Sequence, residues 1–162
     1  MKSKLTLLLT ALVLSVSSNI SVAEGVDSHH QHGHGSVEAT KLQLNSGKKW
    51  ATDQVLRLSM SEINQSMAKA LPKIHHNQFG DSDYQVLAGT VNERVAYAVE
   101  NCKLEAKVDA MFHFVVADLL AGAEMMQGKT TRPRQDGAVL IIEALKSYGK
   151  YFQHAGWKTA LF

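Results

Sequence analysis

Apolar residues recur at spacings of three and four through most of the chain beyond residue 51, the signature of helices that bury one face. The first run places Leu56, Met60, Ile63, Met67, Ala70 and Ile74 on one stripe. Thr52 is a suitable N-cap for this helix, and Asp53 a favourable charge in its first turn. Pro72 predicts a kink or stop near Ala70, and residues 75–80 read as a turn. The second run begins at Ser82, where Gln85 completes a capping box, and carries Tyr84, Leu87, Val91, Val95, Ala98 and Cys102. Residues 103–107 connect it to a third run, Val108, Phe112, Val115, Leu119 and Ala123, which stops at Gly128. Residues 129–137, with Pro133 and Gly137, form the next connection. The fourth run holds Ala138, Ile141, Leu145, Tyr148 and Phe152 and ends near Gly156. No stretch of strand length alternates with period two, and there is no internal repeat.

Four amphipathic helices with short connections predict an all-α fold: an up-down-up-down antiparallel four-helix bundle over residues 51–162. In that topology the starts of the first and third helices share an end with the finishes of the second and fourth. Met60, Cys102, His113 and His154 therefore fall toward one end, flanked by Trp50 and Trp157. Met67, His75, His76, Met125 and Met126 gather at the other.

The first fifty residues break the helical pattern. Lys2 and Lys4 precede an apolar run from Leu5 to Val16, too short for the roughly 20 residues a membrane span needs. Ser21, Val22 and Ala23 fit the small-x-small rule of signal peptidase. Residues 1–23 thus read as a secretory signal peptide, with Glu24 as the new N-terminus and the periplasm as destination. Residues 24–50 read as a flexible lead-in, polar and glycine-bearing, which includes the tract His29-His30-Gln31-His32-Gly33-His34. Lys48-Lys49-Trp50 would seat it on the bundle, with the indole packed and the lysines in water.

Charge and composition remove several function classes. Once the two lysines of the leader are set aside, 15 basic residues face 15 acidic ones. That balance argues against nucleic acid, whose phosphates require a basic surplus, and gives no sign of a membrane partner after leader removal. A single cysteine, Cys102, excludes an internal disulfide. There is no Gly-x-Ser-x-Gly elbow, no Gly-rich phosphate loop and no Glu-x-x-His pair of a di-iron bundle, so the expectation is a protein that is not an enzyme.

What remains is donor chemistry. Met60, Cys102, His113 and His154 are soft or borderline ligands that suit copper and, through thiolate and imidazole, zinc. His29, His30, His32 and His34 can chelate Zn(II), Cu(II) or Ni(II) without a preformed fold. The reading is a periplasmic transition-metal protein, copper foremost, that handles metal and passes it to an efflux or redox partner. The tract would capture the ion and the bundle set would hold it.

Two other readings stand beside it. Leu56-Arg57-Leu58-Ser59-Met60-Ser61-Glu62-Ile63-Asn64 resembles the start of the soluble periplasmic b-type cytochromes that fold as four-helix bundles. The resemblance extends to Lys150-Tyr151-Phe152-Gln153-His154 and implies non-covalent haem b held by Met60 and His154, a sound axial pair for electron transfer. The His-rich lead-in and Cys102 depart from that family. The third reading is a cofactor-free periplasmic interaction protein that uses its methionine-rich end as a partner surface.

Overall fold

The computed structural model describes residues 41–161, and these form the four expected helices with no strand among them. They are α1 (Gln54–His75), α2 (Asp81–Asn101), α3 (Ala106–Met126) and α4 (Arg134–Tyr151). Each packs on the next, and α4 returns to touch α1, which closes the ring of a four-helix bundle. The core is the set of stripes read from the sequence: Leu56, Ile63 and Met67 of α1, Val91 of α2, Phe112 and Leu119 of α3, and Ile141 and Leu145 of α4 are all buried.

The helix ends differ from expectation in instructive ways. Asp53, not Thr52, caps α1, its carboxylate accepting from Leu56 N at 2.7 Å. α1 does not stop near Ala70 but runs through Pro72 to His75. Proline removes only the hydrogen bond to the carbonyl of residue 68, and Ala68 and Pro72 are both exposed, so water can serve that carbonyl. Leu71 and Ile74, both buried, hold the last turn in place. At α2 the cap is Gly80, whose N–H donates to the Asp83 carboxylate, in place of the expected Ser82–Gln85 box. α4 stops at Tyr151, short of Gly156.

The early stop of α4 has a visible cause. Trp50 N donates to the Tyr151 carbonyl, and Gln153 N donates to the Trp50 carbonyl, each at 2.8 Å, a parallel bridge between Trp50 and Phe152. Thr52 Oγ1 adds a bond to the Gln153 carbonyl. Residues 41–50, expected as part of a flexible lead-in, are thus docked on the bundle over their described length. The Trp50 indole is 7% exposed and donates to the Gln43 carbonyl.

After this clasp the chain becomes a non-helical strap, residues 152–161, along α1 and α4. Asn64 of α1 holds it at two points, donating to the Lys158 carbonyl and accepting from Ala160 N. Trp157 lies over Gly149 of α4, where a Cβ would come within 2.5 Å of the indole. α1 and α4 touch each other least of the four neighbouring pairs, and the strap supplies contacts on that side.

α3 and α4 approach most closely, and two glycines permit it. A Cβ on Gly122 would lie 2.6 Å from Ile141 Cγ1 and 2.7 Å from the Gly137 carbonyl. A Cβ on Gly137 would collide with the Gly122 carbonyl and lie 2.8 Å from Met125 Cβ. Backbone cannot give way as a flexible side chain can. Gly137→Ala is therefore expected to cost about 1–3 kcal/mol of stability. Gly89→Ala, whose Cβ meets nothing within 4 Å on α2, should add about 0.5–1 kcal/mol. Denaturant midpoints of the two variants check the pair, and equal effects would contradict the close crossing.

Candidate functional site

The expected ligands all lie toward the end of the bundle where α1 and α3 begin, but their side chains part company there. Met60 is 1% exposed and belongs to the core. Its neighbour Ser61 reaches the strap: Ser61 Oγ lies 3.3 Å from His154 Nε2, while His154 Nδ1 lies 3.0 Å from the Tyr148 hydroxyl. The imidazole also sits against Trp157, ring centroids 4.9 Å apart. His154 reaches this place because Phe152 has left the helix and turned into the core, so a residue that a continued helix would turn outward is carried back onto α1.

The environment favours the neutral imidazole. Burial pushes the His154 pKa down, and the nearby Arg57 guanidinium pushes it the same way. Arg57 is fixed by Thr52, donating to its carbonyl at 2.5 Å and to its hydroxyl at 3.1 Å. Burial holds the Tyr148 phenol far above its ordinary range, Arg57 opposing this and Asp53 reinforcing it. Tyr148 is stacked on Phe152, with ring planes 13° apart, and Phe152 meets Phe112 edge-on.

Cys102 is the C-cap of α2 and half-buried. Burial raises its thiol pKa, and the carboxylates of Asp53 and Asp109 raise it further, against a small opposing effect of its own backbone. Asp53 does double service here. One oxygen caps α1, and the other accepts from Lys103 N at 2.5 Å, tying the α2–α3 connection to the start of α1.

His113 faces outward, its side chain 61% exposed. Its Nδ1 lies 2.9 Å from the Asp109 carbonyl and 3.5 Å from the Asp109 carboxylate one turn earlier. It is one position beyond buried Phe112, and that offset of one residue takes it off the core face.

The expected single pocket of Met60, Cys102, His113 and His154 is therefore not assembled as drawn from sequence. His154 comes to the α1 turn that carries Met60, Cys102 rests among carboxylates, and His113 lies outside. Among the described residues no three His, Cys, Asp or Glu side chains group in a way that could hold a metal ion. The tract of His29, His30, His32 and His34 lies outside the described residues. At the far end, Met67 and Met126 are fully buried in the core, whereas Met125 is half-buried and His75 and His76 are exposed.

This arrangement does not fit haem held between Met60 and His154. The Met60 thioether is enclosed in the core, and both His154 nitrogens already have partners within the fold. An iron there would have to displace the His154 contacts with Tyr148 and Ser61 and open the core around the Met60 thioether.

Sequence reasoning missed Tyr148, Ser61, Arg57 and Asp53 as a polar group. Tyr148 sat on an apolar stripe and read as packing, and nothing local links Ser61 to a histidine 93 positions later. In comparison with known proteins, no family model, no curated protein and no solved structure matches the chain.

The lowered His154 pKa makes a signed prediction. The unfolded chain takes up a proton near the ordinary histidine pKa of about 6.5, whereas the folded chain resists it until lower pH. The contribution of His154 to stability is thus complete above that value and is lost as pH falls through the window beneath it. His154→Gln should flatten this part of the profile. Denaturant midpoints at neutral and mildly acidic pH measure it, and identical pH dependence in both proteins would contradict the assignment.

Proposed function

We propose that this chain is an exported, non-catalytic metal-handling protein for a soft or borderline transition metal, copper foremost, acting in the periplasm. The observation that carries the reading is the tract itself, four imidazoles within six residues, His29 to His34, following a segment, residues 1–23, that reads as an export signal. Alternating His-x-His pieces allow neighbouring imidazoles to share one ion, and neutral imidazole at near-neutral pH is the ligating form. None of the described helices is long and apolar enough to cross a membrane, which is compatible with a released protein.

The bundle has a supporting part in this reading. Burial and Arg57 favour the neutral form of His154, whose ring meets Ser61 on the α1 turn that carries Met60, while the Met60 thioether itself lies in the core. A metal that took them would have to displace the Tyr148 and Ser61 hydrogen bonds. Cys102 and His113 stand near Asp109 and could join only after movement. Capture therefore rests first on the tract, and the next holder of the ion is a metal-efflux or redox protein.

Copper titration against a competing chelator tests this directly. The chain from Glu24 should bind copper, and replacing His29, His30, His32 and His34 with Ala should weaken binding by about tenfold or more, by analogy with the loss of metal-site partners. Unchanged affinity would remove the tract from the proposal. Cys102→Ala with His113→Ala should have little effect, and a large loss there would return the site to the bundle. A sharp Soret band after expression with haem present would replace copper by a haem carrier.

A further inference from the structure

The even charge balance of the chain conceals a separation that folding creates. Residues 81–126, which make α2, α3 and their connection, carry eight carboxylates against Arg94, Lys103 and Lys107. Residues 41–52 carry Lys41, Lys48 and Lys49 and no carboxylate, and residues 144–161 carry Lys146, Lys150 and Lys158 and none. The bridge between Trp50 and Phe152 lays these two basic segments side by side.

Gly149 is the meeting point. Lys49 Nζ donates to its carbonyl at 2.6 Å, Lys150 is the next residue, and Trp157 packs on it with Lys158 following. The segment of Lys48 and Lys49 thus meets, at one glycine, the segment that carries Lys150 and Lys158. Glu143 is the one carboxylate on this part of α4, and Lys146 already holds it at 2.6 Å. Lys48, Lys49, Lys150 and Lys158 are exposed and form no ion pair among the described residues. Gathered like charges repel one another, and an anion brought to the face relieves that repulsion.

We infer that this face, built from Lys48, Lys49, Lys150 and Lys158 with Tyr151 among them, docks on an anionic phospholipid bilayer. Its chemistry favours lipid over an acidic protein. The cations are all lysines, hydrated point charges on flexible stems that suit a fluid array of phosphates, and the face has no arginine fork. Specific protein interfaces are enriched in arginine and depleted in lysine. Half-buried Tyr151, with the Lys150 ammonium 5.1 Å from its ring centroid, pairs an apolar ring with a polar tip, the combination that settles at headgroup depth. Attachment is peripheral, since no described helix can span. The acid-rich α2 is not a packing neighbour of α4, so the same field that draws the lysine face inward holds the carboxylates away. This inference stands apart from metal binding.

Vesicle co-sedimentation tests it, using the chain from Glu24 at mildly alkaline pH with EDTA, so that neither imidazolium nor metal contributes. The probes are phosphatidylcholine vesicles with and without phosphatidylglycerol. The chain should bind only the vesicles that contain phosphatidylglycerol, and high salt should release it. Each lysine near such a surface is worth about fivefold, so Lys48→Gln, Lys150→Gln and Lys158→Gln together should lower partitioning by on the order of 100-fold. An unchanged melting curve shows that the triple variant is folded. Should it melt early, Lys150→Gln alone gives the same reading at about fivefold. Lys103→Gln with Lys107→Gln, on the α2–α3 side, should change nothing. Failure to bind either vesicle, equal binding to both, or equal loss in the control variant overturns the inference, as does selective binding to an acidic polypeptide such as polyglutamate in place of the vesicles.

Discussion

Trp50 holds two remote parts of the chain together with two backbone hydrogen bonds, and much of the molecule follows from where it places them. Its N–H takes the last carbonyl of α4, and its carbonyl takes the first N–H beyond Phe152. Each bond contributes only about 1 kcal/mol net. Their leverage is geometric. They stop α4, turn Phe152 into the core against Tyr148 and Phe112, and send residues 152–161 along α1 rather than onward as helix. The buried indole fixes the bond pair in place, and Thr52 and Lys49 reinforce it from either side. His154, Trp157 and the lysine face take their positions from that one turn.

The helices were legible because periodicity reports burial. Every stripe residue named for α3, from Val108 to Ala123, is buried, and Gly128 adopts the left-handed backbone (φ 73°) that a helix stop requires. Ends were less legible. Pro72 promised a break, yet a missing hydrogen bond on the solvent side is too weak to outweigh buried Leu71 and Ile74. The finish of α4 could not be read locally at all, because residue 50 sets it.

The candidate site was legible as a list and not as a geometry. Topology did bring Met60, Cys102, His113 and His154 to one end, but facing within a turn depends on single-residue offsets. His113 lost its place in that way. His154 gained one through the strap, which no helical wheel foretells. The aspartates were undervalued: Asp53 read as a favourable first-turn charge, yet it joins the start of α1 to the α2–α3 connection and raises the Cys102 pKa from close by. Net charge says nothing of arrangement. A sum over the chain is blind to which face each residue occupies.

The strap also sets an order of assembly. Residues 152–161 leave the ribosome after all four helices, so during synthesis the seam between α1 and α4 lacks Trp157, Ala160 and the bonds from Asn64. The strap is the latch of that seam: residues that follow α4 in the chain tie it back to α1.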